Sequence, residues 1–244
     1  MNRALRGQYL AALGLESWTL RRGPTTGLPP QAPSALQPLV PQPGAPSPSE
    51  RVADLGWTEL RAAVAACTRC PLSTTRTQTV FGVGSLEAKW LIVGEAPGAE
   101  EDRQGEPFVG RAGQLLNAML RAIGLAREQV FIANVLKCRP PRNRDPAPLE
   151  AAQCLPYLER QIAIIRPEFL CLLGKTAVSA LLETALAMGK LRGRWHRYRG
   201  IPAVVTWPPA YLHRNPAAKR EAWEDLQMLM QAMGLKPGKR GGAS

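Results

Sequence analysis

The chain has 244 residues, 45% of them hydrophobic, with 31 basic and 19 acidic side chains and a formal net charge of +12. That is enough apolar matter for one sizeable domain with an appendage, and no apolar run approaches the roughly 18 residues of a membrane span. Residues 1–22 have scattered arginines and no small-residue cleavage site after an apolar block, so a secretory signal is not expected and the chain reads as cytoplasmic.

Residues 1–50 contribute only +2, since Arg3, Arg6, Arg21 and Arg22 oppose Glu16 and Glu50. The remaining +10 falls on residues 51–244 and suits a polyanionic partner through counterion release at phosphates. Charge alone names no function. Residues 1–22 form the first segment, with Leu10, Leu13, Leu15 and Trp18 near helical spacing. Gly23 to Ser49 has no charged residue and nine prolines, too little apolar surface to offset its ordering entropy. It predicts a disordered linker over 23–50, followed by a folded domain over 51–235 and a disordered tail over 236–244.

The folded part begins with a helix over Asp54 to Ala66, with Leu55, Leu60 and Val64 on one face and Asp54 as its N-cap. Trp90 to Val93 reads as a buried strand, Gly113 to Ile123 as a helix, and Val130 to Val135 as a second strand. A helix over Leu149 to Ile165, a strand over Phe169 to Leu173 and a helix over Thr176 to Leu182 follow. A strand over Ala203 to Thr206 and a helix over Pro216 to Met233 close the series. Strand–helix alternation of this kind predicts an α/β fold, a three-layer α/β/α arrangement around a central four-stranded parallel sheet. Ligands of such sheets sit at the carboxyl ends of the strands, so the loops after Val93, Val135, Leu173 and Thr206 are the places to look.

Of the five cysteines, Cys67 and Cys70 form a C-x-x-C pair, and Cys138 and Cys154 are separated by fifteen residues. Four thiolates in such a set can hold either zinc or an iron–sulfur cluster, and spacing alone leaves both open. Cys171 lies in the apolar run FLCLL and reads as an inert core residue. The loop GEAPGAEEDRQGEPFVGRAG, Gly94 to Gly113, has five glycines and an acidic cluster at Glu100, Glu101 and Asp102. It places Glu95 just past the first strand's carboxyl end, and Phe108 where an aromatic ring can stack on a flat ligand. No G-x-G-x-x-G or Walker lysine is present, which argues against phosphate binding of a nucleotide cofactor.

The stretches CTRCPL, WLIVGEAPG, EDRQGEPFVGRAGQLL, FIANVLKCRPPRNR, the Cys154 region, LCLLGKTA and TWPPAYLHRNP together resemble the iron–sulfur uracil-DNA glycosylases, family four of that superfamily. The resemblance spans about Leu60 to Leu229. It implies a monomeric DNA-repair hydrolase that excises uracil from DNA, with Cys67, Cys70, Cys138 and Cys154 ligating a [4Fe–4S] cluster. It further implies that Phe108 stacks on the flipped uracil and that Asn134 bonds its edge. Glu95 would position water or stabilise the cationic sugar, with the backbone of Gly94 to Ala96 lining the pocket. Leu212 would be the apolar wedge that fills the gap in the duplex, while Arg214 and the run Lys190, Arg192, Arg194, Arg197 and Arg199 would contact phosphates.

In one place the sequence departs from the family pattern. The second motif begins His-Pro in the family, and Pro208 stands at the histidine position here. Proline has no side-chain donor, so a catalytically weakened protein that binds uracil or a lesion is the alternative expectation. His213, five residues on, is a candidate to take over the missing role. Separately, LRGQYLAALGLESWTLRRG, Leu5 to Gly23, resembles the N-terminal peptide of the psi subunit of bacterial DNA polymerase III. That likeness implies docking of residues 5–22 on the clamp loader through Leu13, Trp18 and Leu20.

Overall fold

The computed structural model describes residues 52–234. The expected helical segment over 1–22, the linker over 23–50 and the tail over 236–244 lie outside the described residues. The sheet has six strands: β1 (Val83–Gly84), β2 (Trp90–Gly94), β3 (Phe131–Asn134), β4 (Phe169–Leu173), β5 (Trp195–Tyr198) and β6 (Ile201–Thr206). Their spatial order is β1-β3-β2-β4-β6-β5. The four central strands are parallel, as expected from their apolar runs. The sheet is wider than the expected four strands, because β1 and β5 add antiparallel edges. Val83-Gly84 is too short to show any alternation, and WHRY carries its charges onto an edge, where a solvated face tolerates them.

Successive residues of the parallel strands point to opposite faces, and each face has its own apolar core. Leu91, Val93, Ala133, Leu170, Leu172 and Val205 face α1 (Trp57–Ala65), α4 (Pro148–Ile165) and α5 (Lys175–Leu182). Trp90, Ile92, Ile132, Cys171, Leu173 and Val204 face α3 (Arg111–Ala122) and α8 (Lys219–Ala232). The result is the three-layer arrangement. Cys171 is part of that second core, where burial pushes its thiol up to about 12.

Two helix boundaries differ from expectation. Gly56, and not Asp54, caps α1, and the Glu59 carboxylate reaches back to accept its N–H at 2.8 Å. The last helix starts at Lys219, after a 3₁₀ turn over Pro216–Ala218. The long loop after β2 also holds a short helix, α2 (Ala99–Gln104), in which Glu100, Glu101 and Asp102 lie within the first turn. The short helices α6 (Met188–Leu191) and α7 (Pro209–Arg214) complete the set. Among the described residues no helix is long and apolar enough to cross a membrane.

Candidate active site

The carboxyl ends of β2, β3, β4 and β6 open into one cleft of about 420 Å³. Gly94, Glu95, Ala96, Phe108, Asn134 and Arg214, drawn from four separate stretches of sequence, all line it. Gly94 and Asn134 are register partners at the ends of β2 and β3. A Cβ on Gly94 would lie 2.3 Å from Asn134 Oδ1 and 2.6 Å from Phe108 Cζ, so the missing side chain is what lets the amide and the ring converge. Asn134 is 2% exposed, and its Oδ1 has no hydrogen-bond partner. A buried acceptor left unmade costs about 1–3 kcal/mol, a cost that a ligand donor in the cleft would relieve. Glu95 Oε2 accepts a hydrogen bond from Thr176 Oγ1 at the start of α5, at 2.5 Å, which fixes the carboxylate at the cleft wall.

Phe108 sits in the left-handed region, at φ 54°, where a bulky residue is strained. What holds it there was not legible in the sequence. Arg127 donates to the carbonyl of Pro107 at 2.5 Å, to the carbonyl of Phe108 at 3.4 Å, to Asn117 Oδ1 at 3.1 Å and to Glu106 Oε1 at 3.0 Å. Glu101 closes the loop from the other side: its Oε1 accepts from the N–H groups of Val109 and Gly110, and its Oε2 from that of Gly98. Gly113 completes the clamp, since a Cβ there would fall 1.7 Å from the Phe108 carbonyl oxygen. The acidic cluster of this loop is therefore partly structural. Buried Asp102 likewise accepts the Thr77 N–H with both oxygens.

Across the cleft, Pro208 caps α7 and presents its ring to Gly174, where an added Cβ would stand 3.1 Å from Pro208 Cγ. His213, the candidate replacement, does not line the cleft. Its Nε2 lies 3.0 Å from the carbonyl oxygen of Arg111, and its ring is exposed. Leu212, the expected wedge, is 1% exposed and buried on α7. Arg214 is exposed at the cleft mouth, as a phosphate contact requires.

The basic run around β5 divides. Arg192 is locked inside, pairing with the fully buried Asp225 at 3.2 Å and with Glu221 at 3.4 Å. Arg199 pairs with Glu159 at 2.6 Å, and Arg197 donates to the Gly200 carbonyl. Arg192 is thus committed to α8, whereas Arg197 and Arg199 remain exposed.

A second, small pocket lies behind the cleft. Cys67, Cys70, Cys138 and Cys154 line it together, with Arg69, Arg76, Lys137, Gln153 and Tyr157. The pair Cys67 and Cys70 follows α1, Cys138 follows β3, and Cys154 is on α4. Among the described residues no three His, Cys, Asp or Glu side chains are gathered tightly enough for a single metal ion. The surroundings of the sulfurs are rich in donors. Arg76 Nη1 donates to Cys138 Sγ at 3.1 Å, and the Lys137 backbone N–H to Cys154 Sγ at 3.2 Å. Arg69 Nη1 is buried without a partner. Burial pushes the Cys154 thiol up to about 12, against the pull of Lys137, and raises Cys138 despite Arg76. Free thiols gain little from such donors, whereas a thiolate-bound, anionic group would use all three.

Comparison with known proteins gives a consistent family. The sequence model of the uracil DNA glycosylase superfamily matches residues 81–227. The type-4 uracil-DNA glycosylase of Thermotoga maritima is 45% identical over 168 residues, which are 67% of this chain and 88% of that protein. That of Pyrobaculum aerophilum is 43% identical over 170 residues, 66% of this chain and 87% of that protein. A type-5 uracil-DNA glycosylase of Pyrobaculum aerophilum is 29% identical over 182 residues, 61% of this chain and 80% of that protein.

Proposed function

Because the chain belongs to the uracil-DNA glycosylase superfamily, a family of hydrolases, we propose that it excises uracil from DNA in repair. The observation that carries this reading is the unpartnered, buried Asn134 amide oxygen, set beside the Phe108 ring over Gly94. A glycosylase rotates its target nucleotide out of the stack and reads the freed base in a pocket. An Asn amide supplies one acceptor and one donor, which match uracil N3–H and O4. Cytosine presents the reverse pattern and is rejected when the amide is held in one orientation.

The chemistry is hydrolysis of the N-glycosidic bond. The C1′–N1 bond breaks with its electron pair leaving on the uracil ring, water adds its oxygen to C1′, and the proton it releases is balanced by protonation of the uracil anion. Glu95, oriented by Thr176, positions that water and stabilises the cationic sugar. Phe108 stacks on the base, and its clamped loop removes the need to order the ring on binding. Arg214 contacts phosphate at the mouth. A second reading, a uracil-binding protein of weakened chemistry, draws on Pro208 in the cleft wall.

Cys67, Cys70, Cys138 and Cys154 would hold a [4Fe–4S] cluster, which supplies a covalent cross-link between α1, the segment after β3, and α4. Such a cluster would take one thiolate on each of its four irons, which four separate cysteines could supply. The three donors around the sulfurs suit its negative charge. The docking of residues 5–22 on the clamp loader rests on their sequence pattern alone, and the chain is read as a monomer.

The test is excision from a labelled uracil-containing oligonucleotide by anaerobically purified protein, followed by alkaline cleavage, with iron and sulfide assayed on the same sample. Product together with about four irons per chain is expected for a [4Fe–4S] protein. Zinc in place of iron would sink the cluster, and tight binding without product would favour the second reading. In the same assay, Gly94→Ala is expected to cost on the order of 10²-fold in rate, because its methyl displaces both Asn134 and Phe108. A Gly94→Ala protein with wild-type rate would show that the two side chains need not converge.

A further inference from the structure

Lys137 has no part in the chemistry above, yet it is 1% exposed and lies between the base-reading strand and the cysteines. Its ammonium donates to the backbone carbonyl of Asn134 at 2.8 Å and to Gln161 Oε1 at 2.7 Å. Its backbone N–H donates to Cys154 Sγ at 3.2 Å, and its carbonyl accepts from the Val80 N–H at 2.8 Å. Gln161, 0% exposed on α4, is itself held by donation to the Phe81 carbonyl at 2.9 Å. An ammonium buried among neutral acceptors is costly, and an apolar side chain of similar length would fill the same space. A lysine kept at such a place needs a reason.

The reason lies in what holds Asn134. Its amide oxygen has no partner within the protein, so the direction of the side chain depends on the backbone beneath it. Past β3, the N–H groups of Val135 and Leu136 bond to the carbonyls of Gly94 and Glu95, both at 3.0 Å. The Asn134 carbonyl is held by the Lys137 ammonium, which reaches back three residues along the same segment. That segment ends at Cys138.

We propose that Lys137 is a positioning residue that fixes the base-reading amide of Asn134 by tying the end of β3 to α4 beside the cysteine site. The proposal rests on the reading of Asn134 as the uracil-binding group. It predicts that the site's hold on the base depends on a contact on the side of Asn134 away from the cleft.

The test uses full-length Lys137→Met, which keeps an unbranched side chain one atom shorter and removes both donated bonds. Single-turnover excision is expected to fall roughly 10–100-fold, with iron content per chain and thermal midpoint near wild type. Because Lys137 acts through Asn134, adding Lys137→Met to Asn134→Ala should cost little more than Asn134→Ala alone. Gln161→Leu, which removes the other acceptor, should give a smaller loss in the same direction and serves if Lys137→Met fails to fold. Independent, multiplying losses in the double variant would overturn the proposal. So would a wild-type rate in both single variants, or an activity that tracks iron content alone, which would make Lys137 a residue of cluster retention. Wild-type protein that excises no uracil would overturn the functional reading and this proposal together, whereas the other failures leave the functional reading intact.

Discussion

Replacing Pro208 with histidine is expected to raise the single-turnover rate of uracil excision by about 10²–10³-fold, the usual worth of one donor aimed at a developing oxyanion. The position lines the cleft opposite Asn134, and negative charge grows on the leaving base as the C1′–N1 bond breaks. An imidazole there can donate to a base oxygen, whereas a pyrrolidine ring cannot. The backbone allows the change. Residue 208 caps α7 at φ −70° and ψ 145°, an extended conformation open to histidine, and Pro209 remains to start the helix. Rates should be compared with enzyme in excess and at one salt concentration, because phosphate contacts make binding salt-dependent. A rate unchanged in Pro208→His would mean that another cleft group already stabilises the leaving base.

The opposite change in rate is expected from Asn134→Ala, a loss of about 10²–10³-fold or more, since both bonds to the uracil edge disappear. The small side chain leaves an apolar hollow beside Phe108 and Gly94, so folding should survive. Stacking on Phe108 and phosphate contacts remain, so the affinity for DNA should fall much less than the rate. Measuring binding and single-turnover excision on the same oligonucleotide separates the two. Equal losses in both would show that Asn134 holds the substrate without favouring the transition state.

The central sheet was legible because WLIV, FIAN, FLCLL and AVVT are short apolar runs buried on both faces, a local signal. The parallel-sheet pattern pointed to the strand ends and to Glu95 and Phe108, whereas the convergence of Gly94 and Asn134 with them was legible only through family resemblance. The supporting residues were not legible at all. Arg127, Glu101 and Lys137 look like ordinary surface charges, and their roles arise from contacts to backbone carbonyls and N–H groups far along the chain. The burial of Leu212 and the exposure of His213 were not legible for a related reason. α7 is six residues long, and whether a side chain on so short a helix faces core or solvent is decided by its packing against α3, not by its own periodicity.

The Pro208-Pro209 pair bears on ordering as well as on charge. Two adjacent rings fix two successive φ angles before any duplex arrives, so this wall of the cleft has little backbone entropy left to lose on closing around an extruded nucleotide. The same side chain that leaves this wall without a donor therefore lowers the ordering cost of holding an extruded nucleotide against it.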